Sequence, residues 1–116
     1  MQPATDNLEV LNFSYNWNNK LQCKAYTTIR LYGRKYQQGK RFQVQLKGEN
    51  LHVAEVVEIK PFYLQQLNEF MAYVDTGYSS TEARDIVIRM YPRVDVFKQQ
   101  MCMVLLRVIT EKNITV

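Results

Sequence analysis

The sequence predicts a single α+β domain in which five or six mostly antiparallel strands curl into a small β-barrel. Alternating apolar residues in the first half of the chain predict strands, two helical stripes follow between residues 64 and 90, and a continuous apolar run lies at residues 101–109. At 116 residues the chain is long enough for one core without disulfide bonds. We expect one domain over residues 1–116, with its core at about residues 8–109.

A hairpin is predicted in the middle of the chain. Residues 41–47, RFQVQLK, alternate between apolar and polar side chains, as is typical of a strand with one buried face. After a turn at residues 48–50, residues 51–59 return antiparallel to this strand. Their alternation slips at residues 55–57, which indicates a β-bulge.

Three further strands are predicted. Residues 8–13 alternate well, and residues 27–31, TTIRL, are rich in β-branched side chains. The run at residues 101–109, MCMVLLRVI, is apolar without interruption for its first six residues. Such a run is typical of a strand that is buried on both faces.

Two helices are predicted before the last strand. The first has apolar residues at helical spacing, namely Leu64, Leu67, Phe70 or Met71, and Val74. Gly77 would end this helix in a left-handed cap.

The second predicted helix begins with a capping box formed by Ser79 and Glu82, so it starts near Ser80. Pro92 stops it after Tyr91. Its buried stripe is predicted to be Ala83, Ile86, Val87 and Met90.

Several classes of protein are disfavoured by the composition. The polar start, MQPATDNLEV, is not a signal peptide, and the apolar run MCMVLL is too short to span a bilayer. Cys23 and Cys102 are therefore expected to be reduced thiols in a cytoplasmic protein. Because His52 is the only histidine and metal-ligating residues are not clustered, we expect no metal site and no cofactor.

Residues 27–46, TTIRLYGRKYQQGKRFQVQL, carry two glycines and a following lysine but do not match a phosphate-binding P-loop. A P-loop has four residues between its glycines and a Ser or Thr after the lysine. Here five residues separate Gly33 from Gly39, and Arg41 follows Lys40. The next residues alternate like a strand, whereas a P-loop opens a helix.

The basic residues are concentrated in the first half of the chain. Residues 10–48 contain eight Lys or Arg and no Asp or Glu, although the net charge of the whole chain is +4. This asymmetry favours a basic face that binds a polyanion such as nucleic acid. The alternative is a solvated surface whose acidic partners come from elsewhere in the fold.

Five short motifs occur in an order and spacing that resemble a known family. They are Thr28-Ile29-Arg30, the Tyr36 and Gly39 pair, Ala54-Glu55-Val56, Asp75-Thr76-Gly77-Tyr78-Ser79, and Tyr91-Pro92 at a helix end. Over about residues 8–109 the chain resembles the ASCH domain, which has a PUA-like fold. The resemblance implies a small β-barrel with flanking helices and a cleft suited to RNA or a nucleoside.

The resemblance also implies candidate catalytic residues. Some members of the family hydrolyse the amide of acetylated cytidine with a lysine, a threonine and a glutamate. The threonine corresponds to Thr28, and Asp75 is the carboxylate near the glutamate position. The family lysine falls on Ala25, so Lys24, one position away, is the candidate if the chain is an enzyme. Because Ala25 lacks an amine, we expect binding without appreciable hydrolysis.

We expect an RNA or a nucleotide-derived ligand in a basic cleft around the Thr28 segment. Its phosphates would be held by Lys20, Lys24, Arg30, Lys40 and Arg41. Thr28 and Asp75 would hydrogen-bond the edge of a base, and Tyr36 or Tyr78 would stack on its face.

Two other functions fit the same residues. The first is an amidohydrolase that acts on an acetylated cytidine-type nucleoside in the same cleft. The second is a non-catalytic domain whose basic face meets an acidic protein. Two residues also have purely structural interpretations: Arg30 as the ion-pair partner of Asp75 or Glu58, and Trp17 as a core residue.

Overall fold

A computed structural model describes residues 8–110, which form five β-strands and two α-helices. The strands are β1 (Glu9–Phe13), β2 (Ala25–Leu31), β3 (Arg41–Leu46), β4 (Glu49–Phe62) and β5 (Met101–Ile109). The helices are α1 (Glu69–Thr76) and α2 (Ser80–Met90), with 3-10 segments at Trp17–Gln22 and Leu64–Gln66. The predicted α+β class, with two short helices before the last strand, is confirmed.

The five strands form one curled sheet in the order β1-β3-β4-β5-β2. β1 and β3 are parallel, and the other neighbours are antiparallel. β1 and β2 are therefore edge strands, and they face each other across a gap that we call the seam. Side chains bridge the seam: Arg30 Nη2 on β2 donates to the Asn12 carbonyl on β1 at 3.1 Å, and the Phe13 and Tyr26 rings lie 6.1 Å apart. The sheet is thus a half-barrel.

Apolar side chains cover both faces of the sheet. One cluster gathers residues from all five strands, including Leu11, Tyr26, Phe42, Val56 and Leu106. The other cluster joins the sheet to the helices and includes Ile29, Leu64, Ala72, Val87 and Met101. β5 contributes to both clusters, which agrees with the prediction of a strand buried on both faces.

The predicted hairpin is confirmed, with a tighter turn than expected. β3 and β4 pair antiparallel, and Glu49 already pairs with Leu46, so the turn is reduced to Lys47 and Gly48. Both turn residues have positive φ, 53° and 86°, which is the combination that a two-residue type I′ turn requires. The predicted bulge is also present, because the β4–β5 register shifts between Val56 and Glu58.

The first helix buries a different face from the predicted one. α1 begins only at Glu69, after Leu64 and Leu67 have been buried by the preceding 3-10 turn. Val74 is 43% exposed, so the predicted stripe is wrong at this residue. Of the two alternatives predicted one turn earlier, Phe70 is 76% exposed and Met71 packs against the core. The buried residues of α1 are Ala72, Asp75 and Thr76. Small and hydrogen-bonded side chains face inward here because α1 packs against β2 and the Trp17–Gln22 segment.

The second helix follows the prediction closely. The Ser79 hydroxyl accepts from the Glu82 N–H, and the Glu82 carboxylate accepts from the Ser79 N–H, so the capping box is confirmed. Gly77 ends α1 with a φ of 80°, as expected of a left-handed cap. The predicted stripe of α2 is buried except for Met90, which is 40% exposed at the last residue of the helix.

The hairpin turn can be tested by paired substitutions. A side chain in the left-handed region costs roughly 1–2 kcal/mol, and Asn tolerates that region better than Lys. We expect Lys47→Asn to raise the free energy of unfolding by about 0.5–1 kcal/mol, and Gly48→Ala to lower it by about 1–2 kcal/mol, in urea denaturation.

Gly33→Ala is the matched control for this pair. An added Cβ at Gly33 meets no described atom within 4 Å, and Gly33 is not among the glycines with positive φ. We expect its stability to stay within about 0.5 kcal/mol of the wild type. A loss of stability in Lys47→Asn would contradict the turn geometry.

Candidate functional site

A cleft opens where the seam between β1 and β2 meets the two helices. Its volume is about 120 Å³. The polar and aromatic residues that give it its chemistry are Phe13, Trp17, Lys20, Thr28, Arg30 and Asp75. The cleft therefore draws on β1, the Trp17–Gln22 segment, β2 and the end of α1.

Lys20 reaches the cleft because the chain turns sharply just before it. Asn18 and Asn19 both have positive φ, 58° and 54°, a region that Asn tolerates better than most residues. The Asn16 side-chain oxygen accepts from the Leu21 N–H at 2.9 Å and fixes the turn. Lys20 is consequently only 5% exposed.

Asp75 is the partner of this buried ammonium group. Lys20 Nζ donates to the Asp75 carboxylate at 2.9 Å and to the Asp75 backbone carbonyl at 3.0 Å. The Thr27 hydroxyl donates to the same carboxylate oxygen at 2.9 Å. A carboxylate in the last turn of a helix opposes the helix dipole, and the ammonium of Lys20 compensates for this because it contacts both the carboxylate and a terminal carbonyl.

The protonation of Lys20 is shifted by its surroundings. Burial lowers the pKa of the Lys20 ammonium, the nearby Asp75 carboxylate partly opposes this change, and the positive charge of Arg30 adds to it. The net result is a pKa below the ordinary value for lysine. The amine is thus more readily deprotonated than an exposed lysine.

Arg30 and Thr28 form the other half of the polar lining. Arg30 Nε donates to the Thr28 hydroxyl oxygen at 3.0 Å, and the guanidinium lies 4.7 Å from the centre of the Phe13 ring. Within residues 8–110 Arg30 forms no ion pair, so it does not pair with Asp75 or Glu58. Its positive charge is left facing the cleft.

Three aromatic side chains stand together at the cleft. The Trp17 ring lies 4.5 Å from the Tyr15 ring and 5.9 Å from the Tyr78 ring. Tyr15 and Trp17 line the cleft, and Trp17 is half-buried there instead of belonging to either apolar cluster. Tyr78 is 42% exposed, which leaves part of its ring accessible to a ligand.

Five of the residues predicted to bind the ligand do not line the cleft, and one of them is Tyr78, which contacts Trp17 from outside the lining. Lys24 is exposed just before β2 begins, and Tyr36 is 6% exposed and packs against Phe42. Lys40 and Arg41 are ion-paired with two acidic residues, at 2.7 Å to Glu9 and 3.2 Å to Glu55 respectively. These two pairs match the alternative in which acidic partners come from elsewhere in the fold.

The structure thus brings Lys20, Thr28, Arg30 and Asp75 together, and the lysine that contacts Asp75 is Lys20, not Lys24. Thr27 is the residue of this network that the sequence did not single out. The two consecutive asparagines before Lys20 are the signal that a sharp turn redirects the chain there.

The buried pair can be tested by a double-mutant cycle. Lys20→Met leaves the Asp75 carboxylate buried without its ammonium partner, which should lower the free energy of unfolding by about 3–5 kcal/mol. Adding Asp75→Leu removes the stranded charge, so the double variant should be more stable than Lys20→Met alone. Urea denaturation followed by circular dichroism measures the stability of the wild type, of each single variant, Lys20→Met and Asp75→Leu, and of the double variant.

Lys40→Met is the matched control, because it removes a partly exposed lysine from its pair with Glu9. We expect it to change stability by about 1 kcal/mol or less. Equal losses in Lys20→Met and Lys40→Met would contradict a structural role for the buried pair.

No protein-family model, curated protein or solved structure matches this chain. Over residues 8–110, no group of three or more His, Cys, Asp or Glu side chains is placed to hold a metal ion. In the same part of the chain, none of the helices has the length and apolar character needed to cross a bilayer. The function is therefore inferred from the geometry of the cleft.

Proposed function

We propose that this chain is an ASCH-type domain of PUA-like fold that binds one unpaired base, as a nucleoside or within RNA, in the cleft at the seam. The observation that carries this proposal is the convergence of Lys20, Asp75, Thr28 and Arg30 in one cleft that is also lined by three aromatic rings, those of Phe13, Tyr15 and Trp17. The charged and hydroxyl-bearing side chains can hydrogen-bond the edge of a base, and the aromatic rings can stack on its face.

The arrangement of the elements supports the ASCH assignment. The Thr28-Ile29-Arg30 motif lies on the edge strand β2 and lines the cleft, and the Asp75 motif reaches the same cleft from the end of α1. These two motifs are about 45 residues apart in the sequence, yet the Thr27 hydroxyl and the Asp75 carboxylate are 2.9 Å apart. The resemblance to the family implies that these two motifs meet at one site.

The size of the cleft supports a single base as the ligand. Its volume of about 120 Å³ is small beside the roughly 300–1,000 Å³ typical of sites for drug-sized molecules. One ring can enter, while a sugar and phosphate would stay outside. Aromatic stacking and a few directed hydrogen bonds are the usual means by which proteins hold a base that is not paired.

The charge arrangement supports recognition of the base more than of the phosphate backbone. Lys40 and Arg41 are engaged with Glu9 and Glu55, and Lys20 is engaged with Asp75. Among the predicted phosphate-binding residues, Lys24 and Arg30 are without an ion-pair partner within residues 8–110. Phosphate contacts are therefore expected to be few.

Calorimetric titration of the protein with uridine, cytidine and a short single-stranded RNA tests this proposal. We expect binding that Thr28→Val weakens about fivefold, because the change removes one hydrogen-bonding hydroxyl and keeps the shape. Lys24→Ala, outside the cleft, should leave nucleoside affinity unchanged.

The salt dependence of RNA binding provides a second measurement in the same titration. With no more than two phosphates neutralised, the logarithm of affinity should fall with the logarithm of salt concentration at a slope no steeper than about −1.4. A slope near −3, or affinity that Thr28→Val leaves intact, would show that the basic surface and not the cleft is the binding site.

Hydrolysis of an acylated base is the second candidate function. It is favoured by the network in which the Asp75 carboxylate accepts from both the Thr27 hydroxyl and the Lys20 ammonium, whose pKa is lowered by burial. A hydroxyl nucleophile with an adjacent base is the arrangement that acyl transfer needs. However, Thr28, which lines the cleft, has the Arg30 guanidinium as its partner, and Thr27 is outside the lining formed by the described residues.

We therefore expect that the wild-type protein releases no appreciable acetate from N4-acetylcytidine. Chromatography of the nucleoside products measures this reaction. Turnover that is lost in Thr27→Val and retained in Thr28→Val would establish hydrolysis with Thr27 as the nucleophile. The opposite pattern would assign that role to Thr28. Lys24→Met is the control, since its amine lies outside the network.

A further inference from the structure

The edge strand β2 presents backbone groups to the seam. The Tyr32 N–H donates to the Gln100 carbonyl at 3.0 Å, and the Val108 N–H donates to the Lys24 carbonyl at 2.8 Å. The β2–β5 register runs without a shift between these two pairs. Since hydrogen-bonded pairs alternate in an antiparallel ladder, the even-numbered residues of β2 bond to β5 and the odd-numbered residues face the free edge.

Ile29 is the free-edge residue that lines the cleft. It is 4% exposed, and the β2–β5 register points both its N–H and its carbonyl away from β5 and toward the free edge. On the same edge, the Leu31 carbonyl already accepts from the Cys102 thiol at 3.9 Å. On the opposite side of the seam, the Asn12 carbonyl is already occupied by Arg30.

Edge backbone groups that border a cleft are available to a ligand, because buried backbone N–H and carbonyl groups in native proteins pair with other protein groups, water or bound molecules. Both groups of Ile29 belong to one residue of an extended strand, so they point to the same side. In a sheet they would pair with the N–H and carbonyl of one opposing residue. A ring that carries an N–H next to a carbonyl presents the same two groups to the strand.

We propose that the Ile29 backbone recognises the ligand by its lactam edge, as in a uracil-type base, and this inference rests on the proposed function of the cleft. The Ile29 N–H donates to a ring carbonyl oxygen, and the Ile29 carbonyl accepts from the ring N3–H. Among the other polar groups of the cleft, the Arg30 guanidinium and the Lys20 ammonium are donors suited to a further carbonyl oxygen. The Asp75 carboxylate, which is an acceptor, is engaged with Lys20 and Thr27. The cleft thus favours a base with two carbonyl groups over one with an exocyclic amine.

The experiment measures the affinity of the full chain for uridine, cytidine and N3-methyluridine by calorimetry. N3-methyluridine lacks the N3–H and places a methyl group against the Ile29 carbonyl. We expect uridine to bind most tightly and N3-methylation to weaken binding at least tenfold, because a buried acceptor is then left unsatisfied.

A backbone substitution isolates the N–H of Ile29. Incorporating the α-hydroxy analogue of isoleucine at position 29 replaces this N–H by an ester oxygen and keeps the side chain. We expect uridine affinity to fall about fivefold. The same ester at Ala25, made with the α-hydroxy analogue of alanine, is the matched control, because Ala25 also faces the free edge but is exposed and does not line the cleft formed by the described residues.

The results distinguish recognition by the Ile29 backbone from the broader proposal that the cleft binds a base. Wild-type affinity in the Ile29 ester, with binding still weakened by Thr28→Val, would overturn backbone recognition and leave the cleft as the binding site. Cytidine binding more tightly than uridine, or unchanged binding of N3-methyluridine, would overturn the lactam assignment. Failure of the wild type to bind any nucleoside would overturn both the inference and the proposed function.

Discussion

The buried ion pair between Lys20 and Asp75 is the interaction on which the rest of the site depends. It joins the segment after β1 to the end of α1, and through the Thr27 hydroxyl it holds both to β2. Removing two charges from water is unfavourable unless every polar atom is satisfied, and here the carboxylate oxygen and the helix-end carbonyl both accept from the same ammonium. The main effect of the pair is therefore to fix the positions of the segment after β1, the end of α1 and β2 relative to one another, and its net contribution to the free energy of folding is secondary.

That position determines which face α1 buries. To bring the Asp75 carboxylate to Lys20, the helix turns its small residues Ala72 and Thr76 inward and leaves Phe70 and Val74 exposed. If hydrophobicity alone set its orientation, α1 would turn Phe70 and Val74 toward the core. The polar contact wins because an unpaired buried charge costs several kcal/mol, whereas an exposed apolar side chain costs about 1.5–3 kcal/mol.

The seam explains why functional groups gather at one place. Pairing β1 with β2 would close the barrel and consume the edge backbone groups of both strands. Here the Phe13 ring and the Arg30 side chain lie between the two edges, and the free edge of β2 at Ile29 borders the polar cluster. The cleft at this gap is also lined by the aromatic residues Trp17 and Tyr15.

Local chemistry in the sequence determined the elements that depend on short-range contacts. Alternation in residues 41–47, the Ser79 and Glu82 capping box, the left-handed Gly77 and the apolar run of β5 were predictable because each is set by neighbours within a few residues. The sequence also singled out Thr28, Arg30 and Asp75, which do lie in the cleft.

Tertiary structure alone decided which basic residues are available and which lysine meets the carboxylate. Lys20 and Asp75 are 55 residues apart, and no local pattern specifies that a turn through Asn18 and Asn19 sends Lys20 inward while Lys24 stays outside. Charge counting likewise cannot foresee that Glu9 and Glu55 neutralise Lys40 and Arg41, because those pairs form only when strands from different parts of the chain become neighbours. Ion pairs depend on distance in space, and a linear pattern records distance only along the chain.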